Sequence, residues 1–301
     1  MPAYFEMLRP VNCIMAAFAV LIGGMIVFGL SPDVTAQMTM LKAMAAAFLI
    51  AGAGNAINDV MDVEADKTNR PKRPISSGKA TKSGATAFSA VLFLAGIALA
   101  LTINLTALAI AAFNALMLIA YSAWLKHRAY VGHAAVSYIV ASTFIFGGAA
   151  MGSVNAVALL ALMAFFANFA REIVKGLEDV EGDGLSFIGR AKAKLKRAAA
   201  KIAERFKVKK GKAVLAYDAR SAVVIAMTSL VASVCISPLP LFLGIFSTAY
   251  MLAVIPADIA LLACVVQLGM STSRPSLSKV SKLIKAGMLL GLLAFVMGSL
   301  Y

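Results

Sequence analysis

Apolar residues run along nearly the whole chain in stretches of about 20, the length at which a helix crosses a hydrocarbon core of ~30 Å. They lie near 11–30, 39–58, 84–102, 104–124, 132–151, 155–176, 219–237, 242–263 and 282–300, with short polar segments between them. None has the in–out alternation over about 10 residues that marks a membrane β-strand. The pattern therefore predicts an all-α polytopic membrane protein with nine transmembrane helices. The segments are expected to form one membrane-embedded domain over 1–301. Composition agrees: 61% of the 301 residues are hydrophobic, against about 45–50% in soluble domains.

Charge then orients the spans. With the N-terminus in the cytoplasm, every Lys and Arg except Lys42 falls in 1–10, 59–83, 125–131, 171–220 or 264–285. The opposite connections (31–38, TINLT, MGSVN and SPLP) are short and almost uncharged. Basic flanks stay cytoplasmic, which predicts a multi-pass protein of the cell membrane with its N-terminus inside and its C-terminus outside. The net charge of +14 is then a matter of topology and anionic lipid headgroups, and nucleic acid is not expected as a partner. Met1–Pro10 carries Glu6 and Arg9 and runs straight into a full-length span, so the first segment is expected to be retained rather than cleaved. Cys13, Cys235 and Cys264 fall in apolar segments without metal-ligand or disulfide spacing.

One connection is unusual. Arg190–Lys212 holds eleven Lys/Arg and a single acid, Glu204, with Leu195, Ala198, Ile202 and Phe206 at helical spacing. Residues 189–212 read as a basic amphipathic insertion between spans 6 and 7. It either lies on anionic lipid headgroups or extends as a solvated arm.

The chemistry-bearing residues cluster at two span ends. NAINDVMDVEADKTNRPKRP (55–74) follows a long apolar run. At about 100° per residue, Asn55, Asp59, Asp62 and Asp66 share an arc of roughly 40°, with Asn58 about 100° from Asp59 and Glu64 on the opposite side. The small residues of AGAGNAIND allow a neighbouring backbone to come close. The second cluster, NFAREIVKGLEDVEGD (168–183), ends another span on the same side. There Asp179 pairs in spacing with Asp183 and with Lys175, and Arg171 and Lys175 share part of that face.

Interfacial anchors are Lys, Arg, Trp and Tyr, so two Asp-rich clusters need another reason. Two carboxylates 4 Å apart repel by about 4 kcal/mol at an effective dielectric of 20, and must be protonated, paired or bound to cations. Hard oxygen donors suit Mg²⁺ or Ca²⁺, and Mg²⁺ sits between a few carboxylates and substrate phosphates. Arg70, Lys72, Arg73, Lys126, Arg171 and Lys175 are placed to meet the remaining phosphate oxygens. Acids, bases and an apolar interior together fit an isoprenoid diphosphate, tail in the membrane and head at its surface. The rival reading is a cation-coupled transporter, since intramembrane acids mark ion pathways. Transporters bind at the midplane between repeats, whereas these acids gather at one face and no clear inverted repeat is present.

The two clusters resemble those of the UbiA-type superfamily of intramembrane prenyltransferases. The first motif, N(D/Q)xxDxxxD, is matched by Asn58-Asp59-x-x-Asp62-x-x-x-Asp66, and the second, DxxxD, by Asp179-x-x-x-Asp183. The likeness extends over the whole nine-span pattern, and the 189–212 insertion departs from it. It implies a helical bundle around a central cavity, with the active site at its cytoplasmic end. Asn58, Asp62, Asp66, Asp179 and Asp183 would hold Mg²⁺, two ions by family pattern, and Asp59 would assist. Arg9, Asn12 and Lys126 would serve substrate phosphates. RPVNCIMA (9–16), NRPKRPISSG (69–78) and KGLEDVEGD (175–183) are similar to the archaeal ether-lipid branch. That branch joins geranylgeranyl diphosphate to the free hydroxyl of geranylgeranylglyceryl phosphate, a lipid-like phosphorylated acceptor. Chlorophyll synthases share a similar NRPxRPIxSG run, so a chlorophyllide or a quinone precursor stays open as acceptor. No general base stands out. Asp258, expected toward the inner end of its span, is either functional or paired with a basic residue. His127 and His133 read as interfacial, and Tyr121 and Trp124 as part of an aromatic belt.

Overall fold

The computed structural model describes residues 3–29, 33–185 and 219–298, so the 189–212 insertion lies outside the described residues. The chain opens with α1 (Ala3–Leu8) and α2 (Pro10–Phe28), then a long α3 (Val34–Met61) that leads into α4 (Val63–Asn69). After a loop come α5 (Lys82–Leu101), α6 (Leu105–Ala123), α7 (Ala129–Ala150) and α8 (Asn155–Leu185). The last part holds α9 (Ala219–Ile236), a one-turn α10 (Leu239–Phe242), α11 (Thr248–Met270) and α12 (Arg274–Gly298). Among the described residues nine helices are long and apolar enough to cross a membrane, as the apolar pattern predicts.

Polar residues set several of the helix starts. Asp33, Thr81 and Asn104 cap α3, α5 and α6, accepting from Ala36 N at 2.7 Å, Gly84 N at 3.1 Å and Ala107 N at 2.7 Å. Each satisfies a backbone donor that a helix start leaves without a partner. The Asn104 amide also donates to Ala149 O at 2.9 Å, tying the start of α6 to the end of α7.

The two final spans differ from the sequence expectation. α11 runs to Met270 and α12 starts at Arg274, so only three residues connect them, and most of 264–285 is helix rather than loop. Charge misled the reading here. Lys279, Lys282 and Lys285 ride the exposed side of α12 while Leu277, Val280 and Ile284 are buried. Long lysine stems let a charged head reach water from such positions.

Small residues knit the bundle. Lipid offers no hydrophobic drive for helix association, so close backbone contact matters instead. Ala43, Ala46, Ala47 and Ala53 of α3 and Ala107, Ala111 and Ala115 of α6 are buried together in one cluster. α2 and α7 meet backbone to backbone: a Cβ on Gly23 would fall 2.2 Å from Phe144 O, and one on Gly147 2.1 Å from Val20 O. Buried hydroxyls and amides add interhelical bonds, from Ser89 Oγ to Ala53 O (2.9 Å), Asn168 Nδ2 to Ser137 Oγ (3.2 Å) and Ser233 Oγ to Met163 O (3.2 Å). A second core joins α8, α9, α11 and α12.

Asp258 is placed differently from its expectation. It lies midway along α11, and Ser237, just past the end of α9, donates its Oγ to Asp258 Oδ2 at 2.6 Å. Tyr250 OH donates to Ser237 O at 2.8 Å. This acid is thus held by a serine, not a basic residue, and faces the end of α9 opposite the Asp-rich helix ends. The span boundaries account for the difference, since α11 starts and ends later than the apolar run suggested.

Candidate active site

The first Asp-rich motif sits where α3 gives way to α4. Asp62 takes φ −91° and ψ 1°, off helical values, between Met61 and Val63. On either side of this break the motif's side chains divide into two groups. In the first, the Asn58 amide donates to Asp62 Oδ2 at 3.1 Å, and Lys126 Nζ donates to Asp62 Oδ1 at 2.6 Å and Asn58 Oδ1 at 3.0 Å. Lys126 arrives from the 3₁₀ turn Leu125–His127 that follows α6.

In the second group Asp59 is the buried centre. Arg9 Nη2 donates to Asp59 Oδ1, and Arg73 Nη1 donates to the same oxygen at 2.9 Å and to Asp66 Oδ2 at 2.5 Å. Arg9 stands at the α1–α2 junction with φ 51°, the only non-glycine in the left-handed region among the described residues. The NRPKRP loop folds back on itself through Arg73 N to Arg70 O (3.1 Å) and Ser77 N to Arg73 O (2.8 Å), which aims Arg73 at the motif. Asn55 donates to Leu8 O at 2.8 Å and so secures the same junction.

The single carboxylate face expected for Asn55, Asp59, Asp62 and Asp66 is therefore not what forms. Asn55 serves backbone, Asp59 and Asp66 share Arg73, and Asp62 turns to Asn58 one helical turn before it. The 100° rule holds only along a straight helix, and the break at Asp62 ends that regularity. Glu64 is off the site, as expected: it is exposed, and its bond to Lys67 (2.9 Å) holds its carboxyl below the ordinary range.

Other candidate residues are more scattered. Arg70 and Lys72 are exposed on the loop, and Asn12 is exposed in the first turn of α2, outside both groups. Arg171 donates to Glu172 Oε1 at 2.6 Å rather than to Asp179, and Lys175 is exposed. Asp179 is exposed near the end of α8; Asp183 lies in the last turns of that helix, and its side chain is outside the described residues. α3 and α8 are the second and sixth spans, so both end on the same side of the membrane.

Two residues near the site were not read as site residues in the sequence: Glu172 was not singled out, and Tyr121 was assigned to an aromatic belt. Glu172 lies on α8 with an 18% exposed side chain, and Tyr121 on α6 feels both its carboxylate and that of Asp62. Trp124, in contrast, is 62% exposed. The signal for Tyr121 was its place at a span end shortly before Lys126.

The donor set suits a divalent cation. Among the described residues no group of three or more His, Cys, Asp and Glu is placed to hold one. Yet two hard oxygens, Asn58 Oδ1 and Asp62 Oδ1, already converge on one cation, the Lys126 ammonium. Mg²⁺ uses just such a partial carboxylate set and completes its shell with water and phosphate.

The family profile described as "UbiA prenyltransferase family" matches residues 16–290. The chain belongs to that family. A UbiA-family relative from Methanopyrus kandleri, named digeranylgeranylglyceryl phosphate synthase, is 40% identical over 298 residues, 98% of each chain. A solved structure described as digeranylgeranylglyceryl phosphate synthase in membranes superposes with TM-score 0.82 at 32% identity, covering 99% of this chain and 98% of that one. A UbiA homologue from Archaeoglobus fulgidus bound to GPP and Mg²⁺ shares the fold at TM-score 0.58 and 14% identity, over 97% and 99% of the two chains.

Proposed function

We propose that this UbiA-family protein transfers the geranylgeranyl group of geranylgeranyl diphosphate to the free hydroxyl of geranylgeranylglyceryl phosphate, forming digeranylgeranylglyceryl phosphate. The observation that carries the reading is the convergence of Asn58, Asp62 and Lys126 at the membrane-surface end of α3. Support for the acceptor comes from full-length relatives that bear the synthase's name. A homologue bound to Mg²⁺ and a prenyl diphosphate supports the metal dependence.

Asn58, Asp62 and Asp66, with Asp179 and Asp183 from α8, would hold Mg²⁺, two ions by family pattern. Bound there, the metal neutralises charge on the diphosphate and makes it a better leaving group. Lys126 would donate to the diphosphate oxygens, Arg73 and Arg9 would donate to substrate phosphate, and Arg70, Lys72, Arg171 and Lys175 would supply the surrounding positive field. These donors stabilise negative charge as the C1–O bond breaks and the electron pair leaves with the diphosphate. The glycerol oxygen then bonds to C1, and its proton passes to solvent. The chain acts as one membrane domain, with its N-terminus and the site on the cytoplasmic side of the cell membrane and its C-terminus outside. The 189–212 segment meets anionic lipid headgroups.

The test is an extraction assay on detergent-solubilised protein with Mg²⁺ and labelled geranylgeranyl diphosphate. Geranylgeranylglyceryl phosphate, a chlorophyllide and a quinone precursor are offered in parallel. Labelled digeranylgeranylglyceryl phosphate, lost in Asp62→Ala, supports the reading. No product, or equal product from Asp62→Ala, overturns it; product on another acceptor reassigns the substrate.

A further inference from the structure

Asp59 belongs to the first motif yet does not sit as a ligand would. Its side chain is 5% exposed, whereas those of Arg73 and Arg9 are 16% and 32% exposed. The carboxylate lies behind and the two guanidiniums lie in front, between it and water. Both donate to one oxygen, Oδ1.

The arginines come from distant parts of the chain, one from the α1–α2 junction and one from the NRPKRP loop. The loop's own hydrogen bonds and Asp66 direct Arg73 to the motif, and Asp59 is the one acceptor that Arg73 shares with Arg9. Arg9 precedes Pro10, which disfavours the right-handed helical region, and it takes the left-handed one instead. A non-glycine persists there only when its surroundings over-determine it. The buried carboxylate holds the Arg9 side chain at a junction that Asn55 also secures through Leu8 O.

The geometry points to Asp59 as a positioning residue that holds Arg9 and Arg73 together as a two-guanidinium receptor for substrate phosphate. A guanidinium has five donors, so each arginine keeps donors for a phosphate after bonding Asp59. This inference rests on the prenyl-transfer reading, because that reaction brings two phosphate-bearing substrates to the site. The donor's diphosphate and the acceptor's monophosphate share the chemistry, and the probes below separate them.

The experiment measures binding without turnover. Calorimetry on the full-length protein in detergent, with Mg²⁺ present, uses inorganic pyrophosphate for the donor's head and sn-glycerol 1-phosphate for the acceptor's. Metal affinity is followed separately through Mn²⁺ spin resonance. Asp59→Asn is expected to weaken one of the two anions ~10- to 100-fold, the range for losing bonds to a charged group, and to leave Mn²⁺ affinity unchanged. Arg73→Gln should weaken the same anion, and the double variant should add little, since both act on one unit. Asp62→Asn, in contrast, should lower Mn²⁺ affinity. The inference is overturned if Asp59→Asn lowers Mn²⁺ affinity as Asp62→Asn does, or leaves both anions at wild-type strength. Should Asp59→Asn not fold, Arg9→Gln and Arg73→Gln carry the test: loss of different anions, or of none, overturns it. Wild type that binds neither anion nor Mn²⁺ defeats the prenyl-transfer reading as well, whereas wild type that binds both with Asp59→Asn unaffected defeats only this one.

Discussion

Lys126 Nζ lies 2.6 Å from Asp62 Oδ1, across 64 positions of sequence and between two different spans. The same ammonium reaches Asn58 Oδ1 at 3.0 Å, so one lysine closes the C-terminal end of α6 onto the first motif. On the proposed reading, replacing it removes a fixed donor from the place where leaving-group charge develops. Lys126→Met is expected to lower kcat by ~10²–10³, the usual cost of one such donor. Lys126→Arg should recover only part of this, because a broad planar fork does not fit a point between two converging oxygens. Steady-state kinetics of the two variants check it; wild-type kcat in Lys126→Met would remove Lys126 from the mechanism.

The resting site is also balanced. Arg9, Arg73 and Lys126 are matched by Asp59, Asp62 and Asp66 in the ion pairs described. A cation alone must compete with resident cations, and an anion alone with resident carboxylates. Mg²⁺ and pyrophosphate are therefore expected to bind together, each raising the other's affinity by the same factor, about tenfold or more, as linkage requires. Calorimetric titration of each in the presence and absence of the other measures the factor. Independent binding would contradict the balance argument. Chelation of Mg²⁺ should abolish transfer, and its return should restore it.

Much of the fold was legible because lipid imposes a simple rule. A helix that must satisfy its own backbone in a hydrocarbon core has to be apolar for a full span, and most span ends could be read to within a few residues. The rule failed at α12, where Lys279, Lys282 and Lys285 sit on a helix whose opposite side is buried. At the site, spacing drew Asp59, Asp62 and Asp66 together with Asn55, while Asn58 was singled out only through the motif resemblance. Their partners were not legible from spacing, because Arg9 and Lys126 reach the motif through tertiary packing across 50 and 64 residues. The division of the motif into two groups depends on the break at Asp62, which carries neither proline nor glycine to announce it. Nor did Glu172 stand out, since its burial against Arg171 follows from how α8 packs.

Backbone contact between α2 and α7 gives a stability prediction. At Gly147 the nearest neighbour of an added Cβ is the Val20 carbonyl oxygen at 2.1 Å, and backbone cannot rotate away as a side chain can. Gly147→Ala is expected to destabilise the protein by about 1–3 kcal/mol, as overpacking does. Gly269→Ala, exposed on α11 with its nearest contact at 3.8 Å, is the control and should be neutral or slightly stabilising. Thermal unfolding in one detergent compares them; equal midpoints would mean that α2 and α7 do not meet at these glycines.

Asp258 separates structure from chemistry in the opposite half of the bundle. It accepts from Ser237 Oγ at 2.6 Å, and Ser237 Oγ also lies 2.9 Å from Val234 O. A neutral side chain with an oxygen at the same place preserves the acceptor that Ser237 meets. Asp258→Asn should therefore keep wild-type kcat and the wild-type Mg²⁺ requirement. Asp258→Leu removes the acceptor, but Ser237 still has the Val234 carbonyl, so the loss should be near 1 kcal/mol, that of one hydrogen bond. A carboxylate that took part in prenyl transfer would behave otherwise, with Asp258→Asn as damaging as Asp62→Asn. Activity and thermal midpoint measured on both variants decide between a tether for the α9–α11 contact and a member of the reaction site.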